Sequence, residues 1–389
     1  MRYQLKNLRL LFALVAAASM TAAACGSSDV ADAVDDANDV AGEVADDAAD
    51  VVDDAADTTQ DAADSAADAV TGDGPGTGVT VTMARANWST GYMQAAIYQQ
   101  LLTELGYEVA DPSANEMDPA TFFPAVAQGD VDFWANTWFP AHKTQFIDGT
   151  PVEGRVEQVG LEMEAGGLQG IMIDKATADA NDITQLDQIA ADPELSALFD
   201  VTGDGIADVH ACDVGWGCEQ LLEEWFTANS WNDTTLDQLS GSYNAVFSEA
   251  VGRITDGEPT LVYTWTPSAY VTQLIPGDNV YWLSTSAPLA GQEGAASIGE
   301  EQCPGQPCEM GFIAADIMVS ANPDFLAANP AAAKLFELVK IPVTDVALQN
   351  VLYDGGEDTE DDVARHAADW ISQNRDLVDG WLTDARAAA

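Results

Sequence analysis

Apolar residues follow regular periods from residue 79 to the end of the chain. Alternation over 79–85 predicts a strand, and apolar positions at helical spacing over 91–105 predict a helix after it. Both patterns return, as strands over 131–138, 168–174, 260–265 and 312–320 and as helices over 120–127, 219–228, 331–338 and 360–382, with a short helix opened by Pro140. Strands interleaved with helices predict an α/β body with a sheet rich in parallel pairs.

The length of the chain, 389 residues, suits two domains of ordinary size. We therefore expect an α/β fold of two lobes with a ligand cleft between them, because the ligands of open α/β sheets bind beyond the carboxyl ends of the strands. Residues at strand ends are the first candidates for a binding site.

The first 24 residues have the make-up of a secretory signal peptide. Three basic residues precede an apolar run over 10–18, which is too short to span a bilayer, and small residues follow up to Cys25. The Ala-Ala-Ala-Cys end resembles a bacterial lipoprotein signal, in which Cys25 becomes the lipidated N-terminus. Ala22 stands where that motif usually has Leu. The alternative is an ordinary cleaved signal beside a stray cysteine.

Residues 25–76 are predicted to be a disordered, lipid-anchored acidic spacer. Between Asp29 and Asp73 there are sixteen acidic residues and no Lys or Arg, embedded in Ala, Val and Thr. Like charges at i,i+4 oppose a helix, and small residues alone cannot form a packed core. We expect at most transient helix between the membrane and the folded body.

The charge of the whole chain is strongly negative. It has 65 acidic against 13 basic residues, a formal charge of −52. Removal of the leader takes away three of the basic residues and leaves −55. Such a surface repels phosphate backbones, so nucleic acid is excluded as a partner.

Four of the five cysteines form two close pairs, Cys212/Cys218 and Cys303/Cys308. An exported chain permits disulfides, and the two pairs are interpreted as two bridges. Zinc is the competing interpretation. Neither spacing is a Cys-x-x-Cys and no histidine accompanies them at metal spacing, so we predict no metal site.

One acidic stretch resembles a calcium loop. Asp200, Asp204 and Asp208 alternate with glycines, but the full twelve-residue set of ligands and its terminal Glu are missing. We interpret the stretch as a Gly/Asp turn.

Trp138 ends a predicted strand, and His142 falls in the first turn after Pro140. A strand end is where a cleft residue lies, and His142 is close enough in sequence to share the site. Trp134 and Asn136 have the same parity along the strand; Trp134 is interpreted as packing in the sheet. A capping or surface role is the alternative for His142.

Trp216 stands between two glycines directly before an amphipathic helix. Glycines on both sides offer no side chains to bury this tryptophan, so its ring is expected to be accessible to a ligand rather than packed in the core. The amides of Gly217 and Cys218 come at a helix N-terminus, where unpaired N–H groups suit an anion.

Trp265 is the third such tryptophan, at a strand end closed by Pro267. Aromatic faces attract a cation, and the methyl groups of a quaternary ammonium need no hydrogen-bond partners. Three tryptophans at element ends and a group of amides therefore suit a small ligand that is cationic at one end and anionic at the other.

The folded body resembles the substrate-binding protein of glycine betaine/proline betaine ABC importers over residues 77–388. The matching stretches are Trp-Phe-Pro-Ala-His at 138–142, Gly-Trp-Gly-Cys-Glu at 215–219, Tyr-Thr-Trp-Thr-Pro at 263–267, Asn-Pro-Ala-Ala-Ala-Lys-Leu-Phe at 329–336 and Asp-Gly-Trp at 379–381.

The resemblance implies a type II periplasmic-binding-protein fold that closes about a hinge, with one lobe at 77–170 and 305–389 and the other at 171–304. It implies that Trp138, Trp216 and Trp265 surround the trimethylammonium group. Carboxylate contacts fall on His142 and the amides of Gly217 and Cys218, and the family's cleft disulfide falls on Cys212 and Cys218.

The resemblance implies a membrane permease and the ATPase that drives it as partners. The lipid cysteine and the acidic spacer differ from freely diffusing periplasmic members and imply an extracytoplasmic, lipid-anchored receptor, which we expect to be a monomer without a cofactor. Cys303/Cys308 lies outside the family pattern and is interpreted as a local staple. Trp88, just after the first strand, could add an aromatic side chain to the cleft, but packing is the role we expect for it.

Three alternatives remain open. A receptor for choline or carnitine would use the same cation site, and an acidic carbohydrate-binding protein would use exposed tryptophans. An enzyme is the rival class, but no serine elbow, phosphate loop or metal pair accompanies the three histidines, His142, His210 and His366. We expect a binding protein with no chemistry of its own.

Overall fold

The computed structural model describes residues 74–232, 234–268 and 272–389. The predicted signal peptide, Cys25 and the spacer up to residue 73 lie outside the described residues. Among the described helices, none combines the length and the apolar character that a membrane crossing requires.

The folded body contains twelve strands and thirteen α-helices within the described ranges. The strands are β1 Thr80–Val81, β2 Met83–Ala86, β3 Glu108–Val109, β4 Glu116–Met117, β5 Phe133–Phe139, β6 Glu157–Gly167, β7 Gln169–Asp174, β8 Ala207–His210, β9 Leu236–Leu239, β10 Leu261–Trp265, β11 Val280–Trp282 and β12 Ala315–Ala321. The helices are α1 Tyr92–Glu104, α2 Pro119–Gln128, α3 Ala141–Phe146, α4 Lys175–Asn181, α5 Leu186–Ala191, α6 Pro193–Ser196, α7 Gly217–Ala228, α8 Tyr243–Asp256, α9 Pro323–Ala328, α10 Pro330–Leu338, α11 Val343–Asp354, α12 Glu360–Gln373 and α13 Arg375–Ala387.

The strands form two five-stranded sheets and a small parallel pair, β1–β3. The first sheet has the order β4-β2-β5-β12-β6, and the second has the order β11-β7-β10-β8-β9. Each is mixed, with two parallel and two antiparallel pairings. The expectation of a sheet rich in parallel pairs is wrong in this respect. Parallel neighbours need a crossover connection between them. A strand that the chain reaches directly from the other sheet has no such connection to its neighbour and can pair with it in antiparallel orientation.

The chain passes between the two sheets at two neighbouring places. Leu168 alone separates β6 of the first sheet from β7 of the second, and the chain returns to the first sheet at β12. Ala315, which begins β12, pairs with Gly167, which ends β6. Both connections therefore lie side by side.

Local capping signals fix the ends of several helices. The Asp118 side chain accepts the backbone N–H of Thr121 at the start of α2, and Pro119 occupies the first helical position. Gly129 ends the same helix with φ 81°, a conformation that favours glycine. The helix predicted over 120–127 is thereby confirmed with one more residue at each end.

The long C-terminal helix predicted over 360–382 is wrong, because two helices occupy this stretch. Asn374 separates α12 from α13, and its side-chain amide donates to the carbonyl of Trp370 at 2.8 Å. Asparagine competes for backbone partners in this way and favours helix ends over helix interiors. The break allows the rings of Trp370 and Trp381 to stack, with their ring centroids 6.4 Å apart.

Both cysteine pairs form disulfide bonds in the structure. Cys212 and Cys218 have Cα atoms 6.2 Å apart, and Cys303 and Cys308 have Cα atoms 6.0 Å apart. The sulfur atoms are bonded to each other, so the zinc interpretation does not apply to them. The first bridge ties the start of the segment after β8 to the first turn of α7.

The acidic stretch at 200–208 folds as a turn. The Asp200 carboxylate accepts backbone N–H groups from Gly203, Asp204 and Gly205. The Asp208 carboxylate accepts those of Val201 and Thr202, donated by residues of the same turn. The carboxylates are thus used to hold the backbone, as Gly/Asp turns do.

One carboxyl group is enclosed within the first sheet. Glu162 on β6 is 3% exposed, beside the hydroxyl of Tyr98 on α1. Burial raises the pKa of this carboxyl well above its ordinary value, and the Tyr98 hydroxyl and the Lys340 ammonium offset only part of that effect. The folded protein therefore holds Glu162 protonated at a pH where the unfolded chain has already lost the proton.

We predict that Glu162→Gln makes the protein more stable at neutral and alkaline pH. The raised pKa gives wild-type stability that is full below about pH 4.5 and is lost as pH rises toward the folded pKa, at up to about 1.4 kcal/mol per pH unit. Glutamine does not ionise and escapes this loss. Urea unfolding at pH 4.5, 6 and 8 measures the difference in unfolding free energy between Glu162→Gln and wild type, which should increase with pH.

The control is Glu164→Gln, an exposed position two residues further along the same strand. It should leave the pH dependence of the wild type unchanged. Parallel stability curves for Glu162→Gln and wild type would show that the buried carboxyl does not titrate as inferred.

Candidate binding cleft

A cavity lies where elements of the two sheets meet. Its lining consists of Trp88, Trp138, Ala141, His142, Gln169, Trp216, Gly217, Cys218, Tyr263 and Trp265. All six ligand-binding residues predicted from the sequence are among them. The centre of a water molecule can range over about 40 Å³ inside it, against the roughly 10–15 Å³ that one water needs. The cavity therefore suits a small molecule rather than a polymer.

Tryptophan rings form the walls at steep angles to one another. Trp138 and Trp265 lie 6.5 Å apart with an interplanar angle of 89°, and Trp216 and Trp265 lie 5.7 Å apart at 76°. Trp88 and Trp216 lie 5.2 Å apart at 68°. Because the rings are steeply inclined to one another, they surround the cavity on more than one side. Each of the four tryptophans is less than 9% exposed.

The four walls come from both sheets. Trp88 follows β2 and Trp138 lies on β5, both of the first sheet, whereas Trp216 precedes α7 and Trp265 ends β10 of the second. The cavity is complete only where the two halves of the molecule meet.

Each of these indoles donates its N–H to a partner in the first half of the chain. Trp88 and Trp138 donate to Asn136 Oδ1 at 2.9 and 3.0 Å. Trp216 donates to Asn87 Oδ1 at 2.9 Å, and Trp265 donates to Thr90 Oγ1 at 3.4 Å. The bonds of Trp216 and Trp265 cross from the second sheet's elements to those of the first.

His142 lies in the turn after β5, as its spacing from Trp138 predicted. The backbone N–H of Trp138 donates to His142 Nδ1 at 3.1 Å. Burial lowers the pKa of this imidazole to about 3, so it is neutral at physiological pH. Since Nδ1 is an acceptor, the single proton sits on Nε2, which leaves a neutral donor at that end of the ring.

The N-terminus of α7 approaches the same imidazole. Trp216 is the N-cap of this twelve-residue helix, and its first residue is Gly217. A Cβ built on Gly217 would lie 2.9 Å from His142 Cδ2 and 3.4 Å from Nε2, so only glycine permits this approach. The first N–H groups of a helix have no partner within the helix, which makes its N-terminus attractive to an anion.

Four of the ten lining residues, Trp88, Ala141, Gln169 and Tyr263, were not among the predicted site residues, and the expectation for Trp88 needs correction. Trp88 does pack, 5.3 Å from Trp134, but it also lines the cavity. Tyr263 donates to Gln169 Oε1 at 2.7 Å, and burial raises the pKa of its phenol, which stays neutral. Tyr263 could have been found because it has the same strand parity as Trp265; Gln169 carries no such signal.

The charge of the lining is close to zero. No lysine or arginine is among the described residues that line the cavity. Within the same described ranges, no group of three or more His, Cys, Asp or Glu side chains is arranged to hold a metal ion. An anionic group here would be met by neutral donors, and a cationic group by ring faces.

Comparison with known proteins agrees with this geometry. The family model for the substrate-binding domain of the ABC-type glycine betaine transport system matches residues 79–373. The chain belongs to this family. Members of the family are substrate-binding proteins of transport systems and not enzymes, and this chain is a substrate-binding protein of an ABC importer.

Two relatives of this family member match over most of its length. The chain is 35% identical over 317 residues to the glycine betaine-binding periplasmic protein OusX of Dickeya dadantii, which covers 82% of this chain and 93% of the relative. It is 33% identical over 316 residues to the glycine betaine/proline betaine-binding periplasmic protein of Escherichia coli, covering 81% and 93%.

Solved structures show the same fold at lower identity. An ABC-transporter choline-binding protein in complex with choline has a TM-score of 0.59 at 16% identity and covers 79% of this chain and 96% of its own. Lactococcal OpuAC in its closed, liganded conformation with glycine betaine has a TM-score of 0.57 at 17% identity, covering 78% and 99%. The predicted two-lobe periplasmic-binding-protein fold is confirmed.

We predict that His142→Gln flattens the acid side of the stability curve of this family member. The folded pKa near 3 lies below the unfolded value of 6.5. Between these pH values His142 is protonated in the unfolded chain but not in the folded protein. The free energy of unfolding of the wild type therefore falls by up to about 1.4 kcal/mol for each pH unit of acidification. Glutamine removes this contribution.

Urea unfolding at pH 7, 6 and 5 gives the slope. Surface carboxylates act equally in both proteins and cancel in the difference between the two slopes. Equal slopes for wild type and His142→Gln would contradict a neutral, buried imidazole.

Proposed function

We propose that this protein binds glycine betaine, or a closely related quaternary-ammonium osmolyte, outside the cytoplasm and delivers it to an ABC permease. The observation that supports this most is the cavity itself, in which tryptophan faces from both sheets stand opposite neutral hydrogen-bond donors. The names of the relatives supply the ligand class: both are described as binding glycine betaine.

The trimethylammonium end would lie among Trp138, Trp216 and Trp265. An aromatic face attracts a cation by roughly 0.5–2 kcal/mol, so three faces contribute roughly 1.5–6 kcal/mol. Micromolar binding, roughly 8 kcal/mol after association costs, therefore also requires the charge-assisted hydrogen bonds at the carboxylate end. The methyl groups offer no hydrogen bonds and need none. The lining supports this assignment because its indole N–H groups are used elsewhere.

The carboxylate end would accept hydrogen bonds from His142 Nε2–H and from the amides of Gly217 and Cys218. His142 and Gly217 are close together in the structure, and the Cys212–Cys218 disulfide fixes the turn that carries both amides. Neutral donors suit a zwitterion, because a basic residue here would repel the ammonium group only a few ångströms away.

We further propose that ligand binding and lobe closure occur together. We place the hinge at the two adjacent connections near Gly167 and Ala315, because β7, which begins at Gln169, belongs to the second sheet and β12, which begins at Ala315, belongs to the first. The lobes would then be 77–167 with 315–389 and 168–314, rather than the 77–170 with 305–389 and 171–304 expected from the sequence. The hydrogen bonds Trp216–Asn87 and Trp265–Thr90 would form on closure. A ligand held by rings of both lobes would stabilise the closed state by its differential affinity.

The remaining proposals concern the cellular setting. Cys25 would carry the lipid, residues 25–76 would act as the spacer, and the monomeric body would face an oxidising compartment that permits its two disulfides. The relatives are periplasmic proteins by name. The partners would be the permease and its ATPase.

Calorimetric titration with glycine betaine tests the identity of the ligand. Trp216→Ala tests the cage, the four tryptophans Trp88, Trp138, Trp216 and Trp265 that line the cavity. We expect wild type to bind, and Trp216→Ala to bind at least about tenfold more weakly because one cation-attracting face is removed. The control is Trp231→Ala, a half-buried tryptophan outside the cavity, which should bind as wild type does. Absence of binding at millimolar betaine by a folded wild-type protein would refute the proposed function.

The same titration with choline and carnitine separates the alternatives. Choline has the ammonium group without the carboxylate, so it should bind more weakly than glycine betaine if His142 and the helix amides hold the anionic end. Equal or tighter binding of choline would identify the protein as a choline receptor and would leave the carboxylate subsite without a role.

We predict that Cys25→Ser releases the protein from the membrane. The full-length chain expressed in a bacterium should incorporate labelled fatty acid and sediment with membranes, whereas the variant should remain in the soluble extracytoplasmic fraction, since serine offers no thiol for lipidation. A wild-type protein that is soluble and unlabelled would favour an ordinary cleaved signal.

A further inference from the structure

A single amide side chain lies behind two walls of the cage. Asn136 on β5 is 2% exposed, and its Oδ1 accepts the indole N–H of Trp88 at 2.9 Å and that of Trp138 at 3.0 Å. A carbonyl oxygen has two lone pairs, and both are used here. One atom therefore fixes the tilt of two rings that lie on different segments.

The orientation of this amide follows from chemistry. An indole N–H only donates, so the end of Asn136 that faces Trp88 and Trp138 is the oxygen. The NH₂ end then faces Gln94 and donates to Gln94 Oε1 at 2.6 Å. Gln94, 1% exposed, in turn donates to the carbonyl of Thr90 at 3.0 Å.

The same network reaches the opposite half of the molecule. Thr90 Oγ1 accepts the indole N–H of Trp265, which comes from the second sheet, at 3.4 Å. Three of the four cage tryptophans are thus tied through Asn136, Gln94 and Thr90. All three of these polar residues are buried, so water cannot replace a lost partner.

We infer that Asn136 is a positioning residue of the cage, and that Trp88, which it holds, is a fourth wall of the ligand site. The inference rests on the proposed function for the identity of the ligand. Loss of the Asn136 oxygen leaves two buried indole N–H groups without an acceptor, and the rings must then turn away from their present planes to find one. Because cation attraction depends on the ring face, a turned ring binds the ammonium less well.

The test is Asn136→Leu, which keeps the branching at Cγ with a somewhat larger side chain and removes the acceptor, measured by glycine betaine titration. We expect at least a tenfold loss of affinity. The matched control is Thr137→Val, the next residue on the same strand, whose hydroxyl donates to the carbonyl of Met318 on the face away from the cage. It removes an equally buried polar group and should leave the affinity within about twofold.

Two readouts separate positioning from a general loss of structure. Ultraviolet resonance Raman bands report indole hydrogen bonding, and they should change in Asn136→Leu but not in Thr137→Val. In a double-mutant cycle, Trp88→Phe keeps a ring but has no N–H to place, so its effect and that of Asn136→Leu should be less than additive.

The outcomes are distinguishable from failure of the proposed function. If wild type does not bind glycine betaine, the function is wrong, and the Raman bands still decide whether Asn136 holds the two indoles. If wild type binds and Asn136→Leu binds within twofold of it, or if Thr137→Val loses as much affinity, or if the cycle is additive, the positioning role is refuted.

Discussion

The cage depends on where the indole N–H groups point. An indole has a negative face and a positive edge, and the N–H is the most positive part of that edge. Trp88, Trp138, Trp216 and Trp265 all donate this group to amide or hydroxyl oxygens of the protein. The bonds therefore satisfy buried donors and, at the same time, leave the ring faces to form the walls of the cavity. An N–H directed into the cavity would repel a cation.

The neutrality of the lining is the second constraint, and it contrasts with the formal charge of the chain, which is −52. A charged histidine beside the cage would compete with an ammonium group for the ring faces. Burial prevents this by lowering the pKa of His142 to about 3. The helix N-terminus adjoining Gly217 offers donors that carry no titratable charge at all. A zwitterion fits such a site because neither half requires a counter-charge from the protein.

Much of the site was predictable because its signals are local. Trp138 and Trp265 end strands, and Trp216 stands between glycines at a helix start; each is visible within a few residues. The contribution of Trp88 was not, because its partner Asn136 is 48 residues away in sequence. In the fold, the strands predicted over 131–138, 168–174, 260–265 and 312–320 were found, whereas the one predicted over 79–85 is divided into β1 and β2, which belong to different sheets, and the partly polar edge strand β6 was missed. The break at Asn374 was missed because apolar spacing alone does not show that a side chain competes for a backbone carbonyl.

The position of the walls links recognition to shape. Trp88, Trp138 and His142 belong to elements of the first sheet, and Trp216, Trp265 and the α7 N-terminus belong to elements of the second. A ligand that touches all of them can be fully enclosed only in an arrangement that brings both groups together. In the proposed closure, its affinity would therefore differ between the open and closed states, and this difference would drive the lobes together. The two indole bonds that cross to Asn87 and Thr90 add to the same arrangement. They are bonds between neutral groups and are little affected by salt, unlike attraction between charged surfaces, which salt screens. Under the proposed function, a receptor built in this way would close on its ligand over a wide range of ionic strength.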